Sequence, residues 1–116
     1  MSKQITDKVT WVGKVDWELT HFHGDELSTH RGSSYNSYLI RDKKTVLIDT
    51  VWGPYDREFV SRLKEVVDLN TIDAVIMQHN ESDHSGALPE LMRLIPDEGM
   101  SHDGFFCSLL SLLSLP

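Results

Sequence analysis

Four side chains of the types that bind metal ions fall within one hexapeptide: His79-Asn80-Glu81-Ser82-Asp83-His84. It follows an apolar run at 74–77 that predicts a short buried strand. Because the chain is still extended just past a strand, alternate side chains point the same way, which brings His79, Glu81 and Asp83 together. His84 joins them where the chain turns into a helix. Two imidazoles and two carboxylates supply two ligands to each of two adjacent ions, so the hexapeptide predicts half of a two-metal site.

The kinds of ligand bear on which metal is bound. Imidazole suits zinc, iron and copper, while added carboxylate shifts the preference toward harder, redox-capable ions such as iron. The single cysteine, Cys107, lies far from the hexapeptide, which argues against a thiolate zinc site. A competing interpretation is that Asp83 only caps the following helix and that the other side chains are solvated. The concentration of all four side chains directly after a buried strand favours metal binding.

The elements around the hexapeptide indicate an α/β protein. Strands are predicted at 9–12, 17–19, 34–40, 45–50 and 74–77, with a hairpin turn at 13–16 and a polar loop at 21–33. Helical periodicity is found at 55–67 and again from Asp83 to Ile95, before Pro96. Strands first, then strand–helix–strand–helix, predict an α/β sandwich with the hexapeptide at the carboxyl end of a strand, where sites of open α/β sheets form.

The end of the sequence differs from the rest. Helix and strand signals stop after residue 97, and 105–116 is nearly a Ser-Leu-Leu repeat without charges. This run is too short to span a bilayer. We therefore predict a domain over 1–97 and an anomalous Ser/Leu-rich tail, 98–116, that is not part of the fold.

Composition narrows the class of protein. The net charge of -7 repels a phosphate backbone, so no nucleic-acid partner is expected. One cysteine cannot form an intrachain disulfide, which fits a reducing compartment. Neither a secretory leader nor an apolar window of about 20 residues is found, so a cytoplasmic protein without a membrane partner is expected.

The hexapeptide resembles the metallo-β-lactamase superfamily, whose hydrolases usually carry a histidine at the position of Glu81. A glutamate there is similar to the flavodiiron proteins, soluble reductases of nitric oxide and dioxygen. Further stretches resemble their flavorubredoxin branch, the anaerobic nitric oxide reductases: Trp11-Val12-Gly13 with Asp16-Trp17, Phe22-His23-Gly24, Arg31-Gly32-Ser33-Ser34-Tyr35-Asn36-Ser37-Tyr38 and Leu47-Ile48-Asp49-Thr50-Val51. The resemblance covers about residues 9–97 and implies the N-terminal half of a metallo-β-lactamase-like αββα sandwich.

The resemblance assigns the metal ligands. His79 and Glu81 would bind the first iron, and Asp83 would bind the second with His84 beside it. In the family a bridging carboxylate and two further histidines complete the site downstream. We expect this chain to end before them.

The resemblance also implies two supporting residues. His23 matches a family histidine near the metals that positions water or donates a proton, against the alternative of a solvated loop histidine. Asp49, at the end of a buried strand, resembles the strand-end aspartate that holds the metal loop by hydrogen bonds.

The implied function is that of an oxidoreductase whose diiron centre reduces nitric oxide to nitrous oxide, or reduces dioxygen, with electrons from FMN. No residue of this chain is assigned to FMN, and the chain alone is expected to be an incomplete and inactive fragment. Rubredoxin or its reductase is the expected redox partner, and the family forms homo-oligomers. Two alternatives stay open: a zinc-dependent hydrolase of thioesters or lactams, and a non-catalytic truncated product. Glu81 and the segment 32–38 disfavour the hydrolase.

Overall fold

A computed structural model of the protein describes residues 2–18, 21–22, 27–28, 32–78, 81–95 and 105–107. Strands within these residues are β1 Lys3–Gln4, β2 Val9–Trp11, β3 Lys14–Asp16, β4 His21–Phe22, β5 Leu27–Ser28, β6 Ser33–Tyr35, β7 Tyr38–Arg41, β8 Thr45–Ile48, β9 Ala74–Met77 and β10 Phe105–Cys107. The α-helices are α1 Asp56–Val66, α2 Ser82–Ser85 and α3 Leu88–Leu94, and single 3-10 turns cover Gly53–Tyr55 and Leu69–Thr71.

The main sheet has the strand order β1-β2-β7-β8-β9-β10. Strand β9 runs parallel to β8 and to β10, whereas β2, β7 and β8 pair antiparallel. The register aligns Leu39 with Leu47 and Leu47 with Val75 across three strands. All three side chains are fully buried. Because alternate residues share one face of a strand, this row marks the face of the sheet that is covered by the core.

The helices supply the other side of the core. Phe59, Val60 and Leu63 of α1 are buried, as the helical periodicity predicts, and Leu91 of α3 is buried beside them in the same cluster. Helix α1 contacts α3. The mixed sheet with packed helices agrees with the predicted half of a metallo-β-lactamase-like sandwich.

The predicted hairpin near the N-terminus is wrong. Most of the predicted turn is strand β3, which pairs antiparallel with β6 and not with β2. A Cβ atom on Gly13 would collide with the carbonyl oxygen of Tyr35, and Val12 N donates to Ser37 O at 2.9 Å. The chain therefore continues extended past Gly13 and changes sheets, because its backbone packs against that of the segment between β6 and β7.

Three further predictions of elements differ from the structure. The strand predicted at 34–40 is interrupted at residues 36–37, which leaves β6 and β7 in different sheets. The loop predicted at 21–33 contains β4 and β5, which pair antiparallel. The helix predicted from Asp83 is divided at Gly86, and Pro89, which has no backbone donor, lies in the first turn of α3.

Three residues of the predicted tail are among those that the structure describes. Phe105–Cys107 pair in parallel with β9, so that these three residues extend the main sheet. An unpaired strand edge offers N–H and C=O groups that an extended apolar segment can bind, which explains the pairing. The domain boundary at residue 97 stays a prediction. No α-helix in the described ranges is long and apolar enough to cross a membrane.

Candidate metal centre

The hexapeptide lies where the chain leaves β9 and enters α2. Glu81 has an extended backbone and directly precedes α2, while Asp83 and His84 lie within this helix. His79 falls outside the described residues, as does His23. Their predicted roles therefore stay predictions, and the geometry below concerns Glu81, Asp83 and His84.

Helix α2 is held against the end of β8 by its backbone. Thr50 N donates to His84 O at 2.8 Å, and Thr50 Oγ1 donates to the same oxygen at 2.5 Å. Ala87 N donates to Val51 O at 2.9 Å. These bonds fix the helix to the two residues that follow Asp49, so the position of His84 depends on the chain at the end of β8.

Gly86 allows this close approach. A Cβ atom at Gly86 would collide with Gly53 N and would lie 2.6 Å from Ser82 O. Only a residue without a side chain lets α2 pack this tightly against the 3-10 turn after β8.

Asp49 connects β8, β9 and α2 through its carboxylate. The side chain is buried, with Oδ1 accepting from Gln78 N at 2.8 Å and Oδ2 lying 2.9 Å from His84 Nδ1. A carboxylate can only accept, so Nδ1 carries the hydrogen, and in a neutral imidazole the lone pair is then on Nε2. This is the arrangement by which a buried carboxylate orients a histidine ligand. Its role toward a metal ion stays a prediction.

The nitrogen left with the lone pair faces another predicted ligand. His84 Nε2 lies 3.4 Å from Asp83 Oδ2, and both side chains are partly exposed. Two donors that each lie about 2.1 Å from one ion are separated by roughly 3 Å, so this pair of atoms fits a shared metal ion. Glu81 is exposed at the start of the same helix. Within the described residues, no three His, Cys, Asp or Glu side chains form a complete metal site.

An aromatic cluster lies near these residues and was not predicted as a unit. Tyr35, Trp52 and Tyr55 have ring centroids 6.1–6.3 Å apart. Tyr35 Oη donates to Asp16 Oδ2 at 2.8 Å, and Asp16 is buried. Burial, followed by this hydrogen bond and the charges of Asp16 and Asp83, raises the pKa of Tyr35 above its ordinary value. The 3-10 turn that contains Tyr55 contacts α2, so the cluster lies beside the candidate centre.

Sequence reasoning also missed Ser37 and Thr50. Ser37 is fully buried and its Oγ donates to Asp49 O at 2.8 Å. Both residues lie inside segments that carried the family resemblance, but the residue types alone give no signal of these contacts.

Comparisons with known proteins identify the family. The family model of the metallo-β-lactamase superfamily matches residues 30–110, which reaches into the predicted tail. An anaerobic nitric oxide reductase flavorubredoxin from Pectobacterium atrosepticum is 56% identical over 97 residues, covering 84% of this chain and 19% of the relative.

Solved structures show the same fold. Rubredoxin oxygen:oxidoreductase from Desulfovibrio gigas superposes with a TM-score of 0.76 at 39% identity, over 82% of this chain and 23% of that chain. The flavodiiron protein from Giardia intestinalis also gives 0.76, at 32% identity, over 97% of this chain and 26% of that chain. This chain thus spans about a fifth to a quarter of the length of these proteins. The predicted resemblance to flavodiiron proteins and the predicted fold are confirmed, and the chain belongs to the metallo-β-lactamase superfamily.

Proposed function

We propose that this chain forms part of a flavodiiron reductase of nitric oxide or dioxygen, and that its hexapeptide supplies part of the diiron site. The observation that carries the proposal is the line of contacts from buried Asp49 through His84 to Asp83. The names of the relatives support the reductase in preference to a hydrolase, because they describe nitric oxide and oxygen reduction.

Each residue has a defined part in this proposal. His79 and Glu81 hold one iron, and Asp83 holds the second with His84 beside it. The irons, when bound, supply the site at which the gas binds and accepts electrons. Asp49 holds the imidazole of His84 with its lone pair directed toward Asp83. His23 positions water or donates a proton.

The proposal extends to cofactor and partners. FMN is the proposed electron source, and no residue of this chain is assigned to it. Rubredoxin or its reductase is the proposed redox partner, in a cytoplasmic homo-oligomer. The Desulfovibrio gigas protein is named rubredoxin oxygen:oxidoreductase, and the word rubredoxin in that name supports the choice of partner.

Metal content tests the proposal directly. The purified full chain is stripped with chelator and loaded anaerobically with Fe²⁺ or Zn²⁺, and bound metal per chain is measured. We expect iron to bind in a fixed ratio, and Asp83→Asn and Glu81→Gln each to reduce the iron retained. Glu65→Gln is the matched control, because Glu65 is an exposed glutamate on α1. Absence of iron would sink the proposal, whereas a fixed ratio of zinc together with thioester hydrolysis would favour the hydrolase.

A further inference from the structure

Asp49 has an unusual backbone conformation. Among the described residues it is the one non-glycine residue with a positive φ, at 60°. Residues with a Cβ atom enter this left-handed region at an energetic cost, and they stay there only when their surroundings hold them. Aspartate is more tolerant of it than most residues, yet it still needs partners. The groups that hold Asp49 therefore decide where its carboxylate points.

Two hydrogen bonds hold the peptide groups of Asp49. Its N–H donates to Ile76 O at 2.9 Å, and its carbonyl oxygen accepts from Ser37 Oγ at 2.8 Å. The first bond joins backbone to backbone and survives most substitutions. The second comes from a fully buried side chain on the segment between β6 and β7. Ser37 is thus the side chain on which this carbonyl depends.

The direction of the carboxylate follows from this backbone. If Asp49 relaxed to an extended conformation, its Cβ would turn away, and the carboxylate would lose Gln78 N and His84 Nδ1 together. His84 would then lack the acceptor that keeps the hydrogen on Nδ1. The lone pair on Nε2 beside Asp83 would no longer be fixed.

We propose that Ser37 is a positioning residue for the metal centre, acting through the left-handed Asp49 on the imidazole of His84. The inference rests on the proposed function, since it assigns Ser37 a part in forming that site. A purely structural role would have a different signature. Loss of the Ser37 hydroxyl would then lower the free energy of unfolding without acting through the Asp49 carboxylate.

A double-mutant cycle separates the two roles. The full-length chain is prepared as wild type, Ser37→Ala, Asp49→Asn and the double variant, and each is titrated anaerobically with Co²⁺ alone. Asparagine keeps the tolerance for positive φ and removes the negative charge. We expect Ser37→Ala to weaken Co²⁺ binding about 10- to 100-fold, as loss of a partner that orients a ligand does. In the Asp49→Asn background the same change should have almost no further effect.

A second readout does not depend on metal. Long-range ¹H–¹⁵N spectra of the metal-free chain report which nitrogen of His84 carries the hydrogen. We expect the Nδ1–H form in the wild type and a shift toward the Nε2–H form in Ser37→Ala. If Ser37→Ala fails to fold, Ser37→Cys replaces it, because the thiol is of similar shape and a weaker donor.

The outcomes are distinguishable. A wild type that binds no Co²⁺ contradicts the proposed function, and the tautomer of His84 then decides the inference alone. Unchanged Co²⁺ affinity and an unchanged tautomer in Ser37→Ala overturn the inference while leaving the proposed function intact. Additive losses in the double variant overturn it as well. Ile72→Val is the control for stability, because Ile72 is a buried residue outside the hexapeptide. The Co²⁺ affinity of this variant should equal that of the wild type.

Discussion

The carboxylate of Asp16 is among the most deeply buried charged groups that the structure describes, with 2% of the residue exposed. Tyr35 Oη donates to it at 2.8 Å, and Glu18 N donates to its other oxygen at 3.0 Å. A buried carboxylate is tolerated only when its oxygens are hydrogen-bonded. The hydrogen bond between Tyr35 and Asp16 therefore joins β3 to β6, and Tyr35 also belongs to the aromatic cluster beside the candidate centre.

Removing the Tyr35 hydroxyl tests this pairing. Tyr35→Phe leaves the buried Asp16 carboxylate short of one donor, so the free energy of unfolding should fall by about 1–3 kcal/mol in urea denaturation. Tyr38→Phe is the matched control, since the Tyr38 hydroxyl makes no hydrogen bond to the residues described. Its effect should stay within about 0.5 kcal/mol. Equal losses in both variants would contradict the assignment.

The raised pKa of Tyr35 has a consequence at alkaline pH. In the unfolded chain Tyr35 ionises near its ordinary pKa of about 10, while in the folded chain it stays protonated. Above that pH the folded state binds more protons, so the free energy of unfolding falls as the pH rises. Denaturation between about pH 8 and about pH 11 should show this fall. It should be smaller in Tyr35→Phe, and an identical slope would contradict the raised pKa.

At the scale of elements, the contact between α2 and the 3-10 turn after β8 determines where Asp83 and His84 lie. Gly86 has a φ of -60°, which alanine adopts without strain, so any cost of Gly86→Ala comes from the collision with Gly53 N. An alanine on the other side of the contact is tolerated, because a Cβ atom on Gly53 would lie 3.5 Å from Gly86 O, an ordinary van der Waals distance. Two adjacent glycines thus provide a matched pair of variants.

We expect Gly86→Ala to lower the free energy of unfolding by about 1–3 kcal/mol, as overpacking does. The variant should also weaken Co²⁺ binding, because α2 carries Asp83 and His84. Gly53→Ala should change the free energy of unfolding by only about 0.5 kcal/mol and leave Co²⁺ affinity unchanged. Urea denaturation and metal titration measure the two effects. Equal behaviour of the two variants would show that the close packing has no bearing on the site.

Elements defined by strong periodicity could be predicted from the sequence. The strand at 74–77 is observed with the same bounds, and the helix predicted at 55–67 is observed as Asp56–Val66. Errors arose where tertiary contacts override local pattern. The apolar pattern runs through Gly86 without a break, yet α2 ends there, where the chain packs against the backbone of Gly53. Likewise, the pairing of β3 with β6 depends on a partner distant in sequence.

The metal-binding role of the candidate centre stays a prediction. The spacing of Glu81, Asp83 and His84 predicts donors, and the strand-end position of Asp49 predicts the hydrogen-bonding role that its contacts with Gln78 and His84 fit. The sequence does not reveal that Asp49 has a positive φ, because the groups bonded to its backbone are Ile76 on β9 and Ser37 in the segment between β6 and β7, both distant in sequence. Contacts of this kind require the assembled sheet.

For the whole molecule, the main sheet continues past β9 through β10, and this strand belongs to a segment that composition sets apart from the rest. The superfamily match over 30–110 includes the same residues. Strand β9 leads directly toward the hexapeptide, so pairing along its outer edge bears on how firmly the site is held. The tail is thus linked to the candidate centre through one strand.

Proline tests the part played by β10. Phe106 pairs with Ile76 in the register. Phe106→Pro removes a backbone donor and disrupts parallel pairing, whereas Phe106→Ala loses the ring and keeps the backbone. Hydrogen exchange should therefore become faster at residues 75–77 in Phe106→Pro and change less in Phe106→Ala. If both variants keep the protection of the wild type, β10 does not stabilise β9, and the main sheet would end at β9 in solution.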